Sequence, residues 1–206
     1  MSSVRARLLG LCRARDGAVM VEFSLIVSLL LLVTCGMVDF SLALYQYNGA
    51  SKAAELGGRL AAVSDPVASN ISTQSPMDAF SMVCSGATAA CSGGGIYSAT
   101  AMQTLVYGRG KVACGAVASG QLAAMCDAYP GLTPSNVTVT YQQSGYATSG
   151  LGYAGRSGGP VPTITVEVTG VNFDFYFLNS LLGLAPMAMP TMRTTVTGED
   201  LSTAGN

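Results

Sequence analysis

The stretch AVMVEFSLIVSLLLLVTCGMVDFSLAL, residues 18–44, determines the organisation of this chain. Glu22 and Asp39 are its only charged residues, and sixteen residues from 23 to 38 carry no charge. As an α-helix these 27 residues extend about 40 Å at 1.5 Å per residue. Because the hydrocarbon core of a bilayer is about 30 Å thick, we predict a membrane-spanning helix over residues 18–44.

A basic flank precedes this helix. Arg5, Arg7, Arg13 and Arg15 occur before residue 16 without any acid. Lys and Arg accumulate on the cytoplasmic side of a membrane segment, so residues 1–17 are predicted to be cytoplasmic and residues 45 onward extracytoplasmic. Two alternatives are a cleaved secretory signal, disfavoured because the helical pattern continues past residue 44, and a lipoprotein whose attachment box would be residues 32–35 (LVTC).

Three groups of residues carry a resemblance to a known family. They are residues 16–25 (DGAVMVEFSL), 36–40 (GMVDF) and 50–59 (ASKAAELGGR), with a weaker echo at 191–193 (TMR). Together they resemble the TadE-like minor pilins, or pseudopilins, of the Flp/Tad tight-adherence system of bacteria, a type IV pilus system. The resemblance implies a prepilin peptidase that cuts between Gly17 and Ala18, which makes Glu22 the fifth residue of the mature chain, followed by Phe23.

The cut would create an ammonium group at Ala18, about 6 Å along the helix from Glu22. In the family the acid is expected to meet the ammonium of a neighbouring subunit and so to set axial register. The alternative is a Glu that lies among lipid head groups by chance. The resemblance implies these partners: the prepilin peptidase, the major pilin and other minor pilins, an inner-membrane assembly platform and the lipid bilayer.

Beyond residue 44, apolar and small residues recur at steps of three and four, which is typical of one helical face. They are Leu42, Tyr45, Gly49, Ala53, Leu56, Leu60 and Val63. The helix is therefore predicted to extend over residues 45–64 and to end before Asp65-Pro66, because proline disfavours helix in the preceding residue. Two helices broken near Asn48-Gly49 or Gly57-Gly58 are the alternative.

The outer region, residues 65–206, contains alternating segments typical of half-buried strands. Val137, Val139 and Tyr141 alternate with polar residues, and Ile164, Val166 and Val168 do the same. Residues 191–197 form a weaker third candidate. About three strands in a small antiparallel sheet, preceded by the long helix, predict an α+β fold.

Two connections in this region differ in composition. Residues 143–160 are rich in Gly, Ser and Tyr and are predicted to form a loop, which is either solvated or a contact surface for a partner. Residues 171–190 are rich in aromatic residues and Leu. This second segment is expected either in the core or at a membrane surface or subunit contact, because so apolar a surface is rarely left in water.

The six cysteines fall into two groups. Cys12 and Cys35 lie in the predicted leader and span. Cys84, Cys91, Cys114 and Cys126 lie in the outer region, where an oxidising compartment favours disulfides. Of the three possible pairings we favour Cys84 with Cys91 and Cys114 with Cys126, since each closes a short loop. A zinc site is disfavoured because the spacings lack close cysteine pairs.

Composition excludes several functions. The chain has no His, which removes His-based catalysis, and its acids in the outer region are scattered singly. Ten basic against eleven acidic residues leave no basic surface for nucleic acid. We therefore expect no catalytic residue, metal or cofactor. The family resemblance implies a non-enzymatic role in Flp/Tad pilus assembly, adhesion and biofilm formation. The alternative function is a membrane-tethered binding module outside any filament.

Overall fold

The computed structural model describes residues 15–117, 119–145, 149–150, 160–183, 185–198 and 201. Its contacts divide the chain into two compact units. The first comprises Met1–Ala43 with Phe175–Ala185, and the second comprises Leu44–Asp174 with Pro186–Asn206. The basic residues Arg5, Arg7 and Arg13, Cys12, and most of the Gly/Tyr-rich loop lie outside the described residues.

A long helix, α1, extends over Arg15–Val63. It passes through Gly49, Gly57 and Gly58 without interruption, so the alternative of two helices was wrong. Within it, Gly17–Val63 is long and apolar enough to cross a membrane, and the most apolar 18-residue window has no buried residue. A core helix of a soluble domain would be mostly buried, whereas this one presents its apolar side chains outward.

In the second unit the strands form an antiparallel sheet, which confirms the α+β prediction. Its strands are β1 (Ser81–Ser85), β2 (Ala90–Cys91), β3 (Val137–Gln143), β4 (Pro162–Val168) and β7 (Met192–Thr197), in the order β2-β1-β3-β4-β7. A separate two-stranded sheet pairs β5 (Asn172–Phe173) with β6 (Met187–Ala188).

The main sheet has five strands where the sequence predicted about three. β3, β4 and β7 are the predicted ones. β1 has the sequence SMVCS, in which Met82 and Cys84 are buried and Val83 is exposed. Its inward residues are not β-branched or aromatic, so it lacks the composition by which strands are recognised.

The centre of the sheet is held by matched apolar pairs. Val137 lies opposite Val168, Val139 opposite Val166, and Tyr141 opposite Ile164. All six of these side chains are buried. The backbone N–H of Val67 donates a 2.8 Å hydrogen bond to the Tyr141 hydroxyl, which satisfies both groups inside the core. Burial raises the pKa of Tyr141.

Short helices complete the fold. α2 (Ala99–Tyr107) begins at Ser98, whose hydroxyl accepts a hydrogen bond from the N–H of Ala101, and α3 (Met125–Ala128) follows. In the first unit, α4 (Phe177–Leu182) ends at Gly183, which adopts the left-handed conformation. The apolar segment 171–190 therefore has mixed burial: Val171 and Met189 belong to the core, whereas Tyr176 and Leu181 are exposed.

Candidate assembly site

The residues predicted for processing and register lie in the first turns of α1. Gly17, Ala18, Glu22 and Phe23 are all helical and exposed. Among the residues that the structure describes, none forms a hydrogen bond or ion pair with the Glu22 carboxylate. A carboxylate in a membrane helix is costly and is normally kept for a function.

The first half of α1 exposes a continuous apolar surface. Its large exposed side chains include Val19, Met20, Phe23, Leu25, Ile26, Leu29, Leu30, Leu31, Met37 and Phe40. Phe23 is 67% exposed and Leu29 is 65% exposed. A surface of this size must be covered by lipid or by apolar helices of other subunits.

Hydroxyl groups on this surface are satisfied within the helix. Ser24 donates to the carbonyl of Val21, Ser28 to that of Leu25, and Thr34 to that of Leu31, at 2.8 to 3.0 Å. Ser41 donates to the carbonyl of Met37 at 2.8 Å. Because the hydrocarbon core provides no water, this local bonding makes the polar side chains compatible with lipid.

Asp39 accepts several hydrogen bonds from one distant segment of the first unit. Its side chain is fully buried, and its carboxylate accepts from the backbone N–H groups of Tyr176, Phe177 and Leu178 at 2.7 to 3.3 Å. These are N–H groups at the start of α4, which have no partner inside that helix. Asp39 therefore caps α4 from a distant part of the chain.

The second half of α1 packs through small residues. Those that are buried are Ala50, Ala53, Ala54, Gly57, Gly58, Ala61 and Ala62. A Cβ at Gly57 would lie 2.7 Å from Sδ of Met125, and one at Gly58 would lie 2.6 Å from Cγ2 of Thr194. A side chain at either position would therefore require its neighbour to shift. Tyr45, predicted on the packed face, is 76% exposed, because small residues rather than large apolar ones define that face.

Residues 17–59 match the family model described as TadE-like protein. The N-terminal segment of this chain is TadE-like. No curated protein and no solved structure matches the chain. The TadE-like segment begins at Gly17 and includes Glu22, Asp39 and both packed glycines, so the match covers the features described above. The predicted resemblance is confirmed over these residues.

Outside the TadE-like segment, the structure brings the four outer cysteines together in two disulfides, Cys84–Cys91 and Cys114–Cys126. Cys84 and Cys91 are directly opposite on β1 and β2. Asp127 lies near the second bond, but its carboxylate accepts a 2.7 Å hydrogen bond from the N–H of Ala124. With both sulfurs bonded to each other, this group offers no thiolate to a metal.

Sequence reasoning missed the capping role of Asp39 in the TadE-like segment. The acid was noted as an interruption of the apolar run and as part of the segment 36–40 that carries the resemblance, without a partner. A signal was available, since an acid inside a spanning segment needs a partner, but nothing local identified a partner 137 to 139 residues away. At the weaker echo, Met192 is buried and Arg193 pairs with Glu167 across β4 and β7.

Proposed function

We propose that this chain is a minor pilin or pseudopilin of the Flp/Tad system, a non-catalytic component that acts by assembling with other subunits. The observation that carries the proposal is the TadE-like match at residues 17–59, which coincides with an exposed apolar helix whose acid, Glu22, has no partner among the described residues. The TadE-like match supports a role in the pilus system. Incorporation into the fibre, adhesion and biofilm formation are the further parts of the proposal.

In this proposal residues 1–17 form a cytoplasmic leader, 18–44 the membrane span, 45–64 the helix extension and 65–206 the outer domain. The chain crosses the bacterial inner membrane once, with its C-terminal domain in the periplasm. The arginines of the leader support this orientation. Disulfides in the outer unit are compatible with it, because they persist in an oxidising compartment.

The proposed mechanism has two steps that use this chain's own residues. Prepilin peptidase cuts between Gly17 and Ala18, and the new ammonium at Ala18 becomes available to an acid. Glu22 of one subunit then pairs with the ammonium of its neighbour while the apolar surfaces of the helices pack together. The ion pair selects the axial register, and van der Waals packing between the apolar helices holds neighbouring subunits together.

Co-expression with and without prepilin peptidase tests the first step. The intact mass of the purified protein should show loss of residues 1–17 only when the peptidase is present. An N-terminus that stays unchanged with active peptidase would instead favour a membrane-tethered binding module outside the filament.

The Glu22→Gln variant tests the second step. It should still be cut, since the cleavage site is intact, but should no longer co-purify with the major pilin. Glu55→Gln is the matched control, because Glu55 is an exposed acid of the same helix whose 3.0 Å pair with Lys52 is a surface contact of small free energy. Equal recovery of the major pilin with both variants would contradict the register role of Glu22.

A further inference from the structure

The outer surface of α4 has no function in the assembly described above. Tyr176 is 64% exposed, Phe177 47% and Leu181 63%. Phe177 and Leu181 are four residues apart and therefore share one edge of the helix. Asn179 lies on another side of the helix, and Ser180 lies beside Phe177. α4 thus exposes an aromatic and an aliphatic side chain together on one edge that the first unit does not cover.

The depth of this edge along α1 can be derived from the capping contacts. Glu22 and Asp39 are about 26 Å apart along the helix, close to the roughly 30 Å thickness of the hydrocarbon core. Asp39 accepts hydrogen bonds from Tyr176, Phe177 and Leu178. The first turn of α4 therefore lies level with the outer end of the uncharged run, where hydrocarbon gives way to head groups.

The polar groups at the start of α4 are bonded in a way that suits a layer poor in water. Three N–H groups there bind Asp39. Within the helix the Ser180 hydroxyl donates to the carbonyl of Tyr176 at 2.9 Å, and the N–H of Gly183 donates to that of Asn179 at 2.9 Å. Unpaired backbone N–H groups would be costly at this depth, and Asp39 removes that cost for the first turn of α4.

The absence of charged residues around this edge indicates the kind of surface that it would contact. Residues 175–185 contain no charged residue. An acidic or basic protein partner would find no complementary charge here, and anionic lipid would find no Lys or Arg. Tyr side chains, which are apolar with a polar tip, concentrate at the boundary between hydrocarbon and water. The uncharged and partly aromatic composition of residues 175–185 is typical of that boundary.

We propose that Tyr176, Phe177 and Leu181 insert into the outer boundary of the bilayer, between head groups and acyl chains, so that α4 is a membrane-surface element held in place by Asp39. The ligand is the lipid surface itself, and zwitterionic phosphatidylcholine suffices. This inference rests on the membrane span in the proposed function and does not depend on pilus assembly.

Single-tryptophan variants of the full chain test this placement, because the chain contains no Trp. Phe177→Trp is reconstituted in phosphatidylcholine vesicles whose acyl chains carry bromine at a shallow or a deep position. Aqueous acrylamide reports exposure to water. Ile96→Trp, at a residue 60% exposed in the outer unit, is the water control, and Leu29→Trp is the control for the bilayer interior.

The Phe177→Trp emission should be quenched more strongly by shallow than by deep bromines, and acrylamide should quench it several-fold less than Ile96→Trp. Leu181→Trp should give the same pattern, which guards against a local disturbance at one position. Quenching by acrylamide alone would overturn the proposal in favour of a solvated helix. Protection from both quenchers would overturn it in favour of a contact with a second copy or another protein.

The controls separate this inference from the proposed function. If Leu29→Trp is not quenched by deep bromines, the membrane span itself is wrong and both proposals fall. If Leu29→Trp is quenched by deep bromines and Phe177→Trp is not quenched by lipid, only the placement of α4 is wrong.

Discussion

The backbone N–H of Leu178 donates a 2.7 Å hydrogen bond to Oδ2 of Asp39, a residue 139 positions earlier in the chain. The N–H of Phe177 contacts both carboxylate oxygens, at 3.3 and 3.0 Å. Acids in membrane helices are rare because hydrocarbon does not solvate them. In this chain the solvating groups are amides from the start of α4, so Asp39 fixes a distant segment to α1.

Replacing Asp39 should release the start of α4. Asp39→Ala removes every acceptor, and Asp39→Asn keeps one oxygen but turns an NH₂ donor toward N–H groups that are also donors. Hydrogen exchange of the 176–178 amides, followed by mass spectrometry in detergent, should be fastest in Asp39→Ala and intermediate in Asp39→Asn. Ser41→Ala is the control, because its hydroxyl bonds only within α1. Unchanged protection in Asp39→Ala would contradict the capping role.

The two packed glycines of α1 should differ in their tolerance of a methyl group. A Cβ at Gly58 meets Thr194, whose β-branched side chain is stiff, whereas a Cβ at Gly57 meets the flexible side chain of Met125. Either substitution gains up to about 1 kcal/mol of helix propensity. Overpacking at Gly58 costs about 1 to 3 kcal/mol. We expect Gly58→Ala to lower the free energy of unfolding and Gly57→Ala to be near neutral.

Denaturant unfolding of the detergent-solubilised full chain measures this difference, with each glycine variant serving as the other's control. Equal stability of the two variants would mean that the strand carrying Thr194 moves as readily as the Met125 side chain does.

The Tyr141 hydroxyl should be important for the stability of the outer unit. Tyr141→Phe removes the acceptor of the buried Val67 N–H, and an unsatisfied buried donor costs about 1 to 3 kcal/mol. The variant should unfold at lower denaturant with an unchanged denaturant slope. Tyr45→Phe provides the comparison, since Tyr45 is 76% exposed and its loss of a hydroxyl should have little effect.

Tyr141 also makes the stability of the folded state dependent on pH above about 10. Burial raises the pKa of Tyr141 above the ordinary value of 10.0, so in the folded state it stays protonated while the unfolded chain ionises. Its contribution is complete below about pH 10 and is lost as the pH rises further. Wild-type stability should therefore fall more steeply above pH 10 than that of Tyr141→Phe, by up to about 1.4 kcal/mol per pH unit. Parallel pH profiles would contradict this account.

Peptide mapping without reduction should recover the linkages Cys84–Cys91 and Cys114–Cys126 from protein exported to the periplasm. Loss of a disulfide typically costs about 2 to 4 kcal/mol, and more for a longer loop. The two bonds span 7 and 12 residues. The double variant Cys114→Ser with Cys126→Ser should therefore be the less stable, with Cys84→Ser and Cys91→Ser as the matched pair. Any peptide joining the two groups would refute the assignment.

The sequence alone predicted the parts of the fold in which apolar residues recur with the period of a helix or a strand. The apolar run to residue 44, the helix stop before Asp65-Pro66 and the alternation around Val139 and Val166 correspond to α1, β3 and β4. The processing residues Gly17 and Ala18 and the acid Glu22 were selected because they match a family pattern at the start of that run.

Features that depend on distant contacts were not accessible in the same way. β1 has little strand propensity of its own and exists because β3 pairs with it over five positions. Segment 171–190 could not be assigned to core or surface, since its ends are buried while Tyr176 and Leu181 are exposed. The middle of the segment is bonded to Asp39, a contact that the local sequence pattern does not reveal.

The cap also dictates a temporal order during biogenesis. In a chain made from its N-terminus, Asp39 leaves the ribosome 139 residues before Leu178, a delay of roughly 7 to 28 s at ordinary translation rates. Throughout that interval the carboxylate must be hydrated or held by the insertion machinery. A polypeptide truncated before residue 176 lacks the N–H groups that bind Asp39. Its carboxylate would therefore stay without these partners.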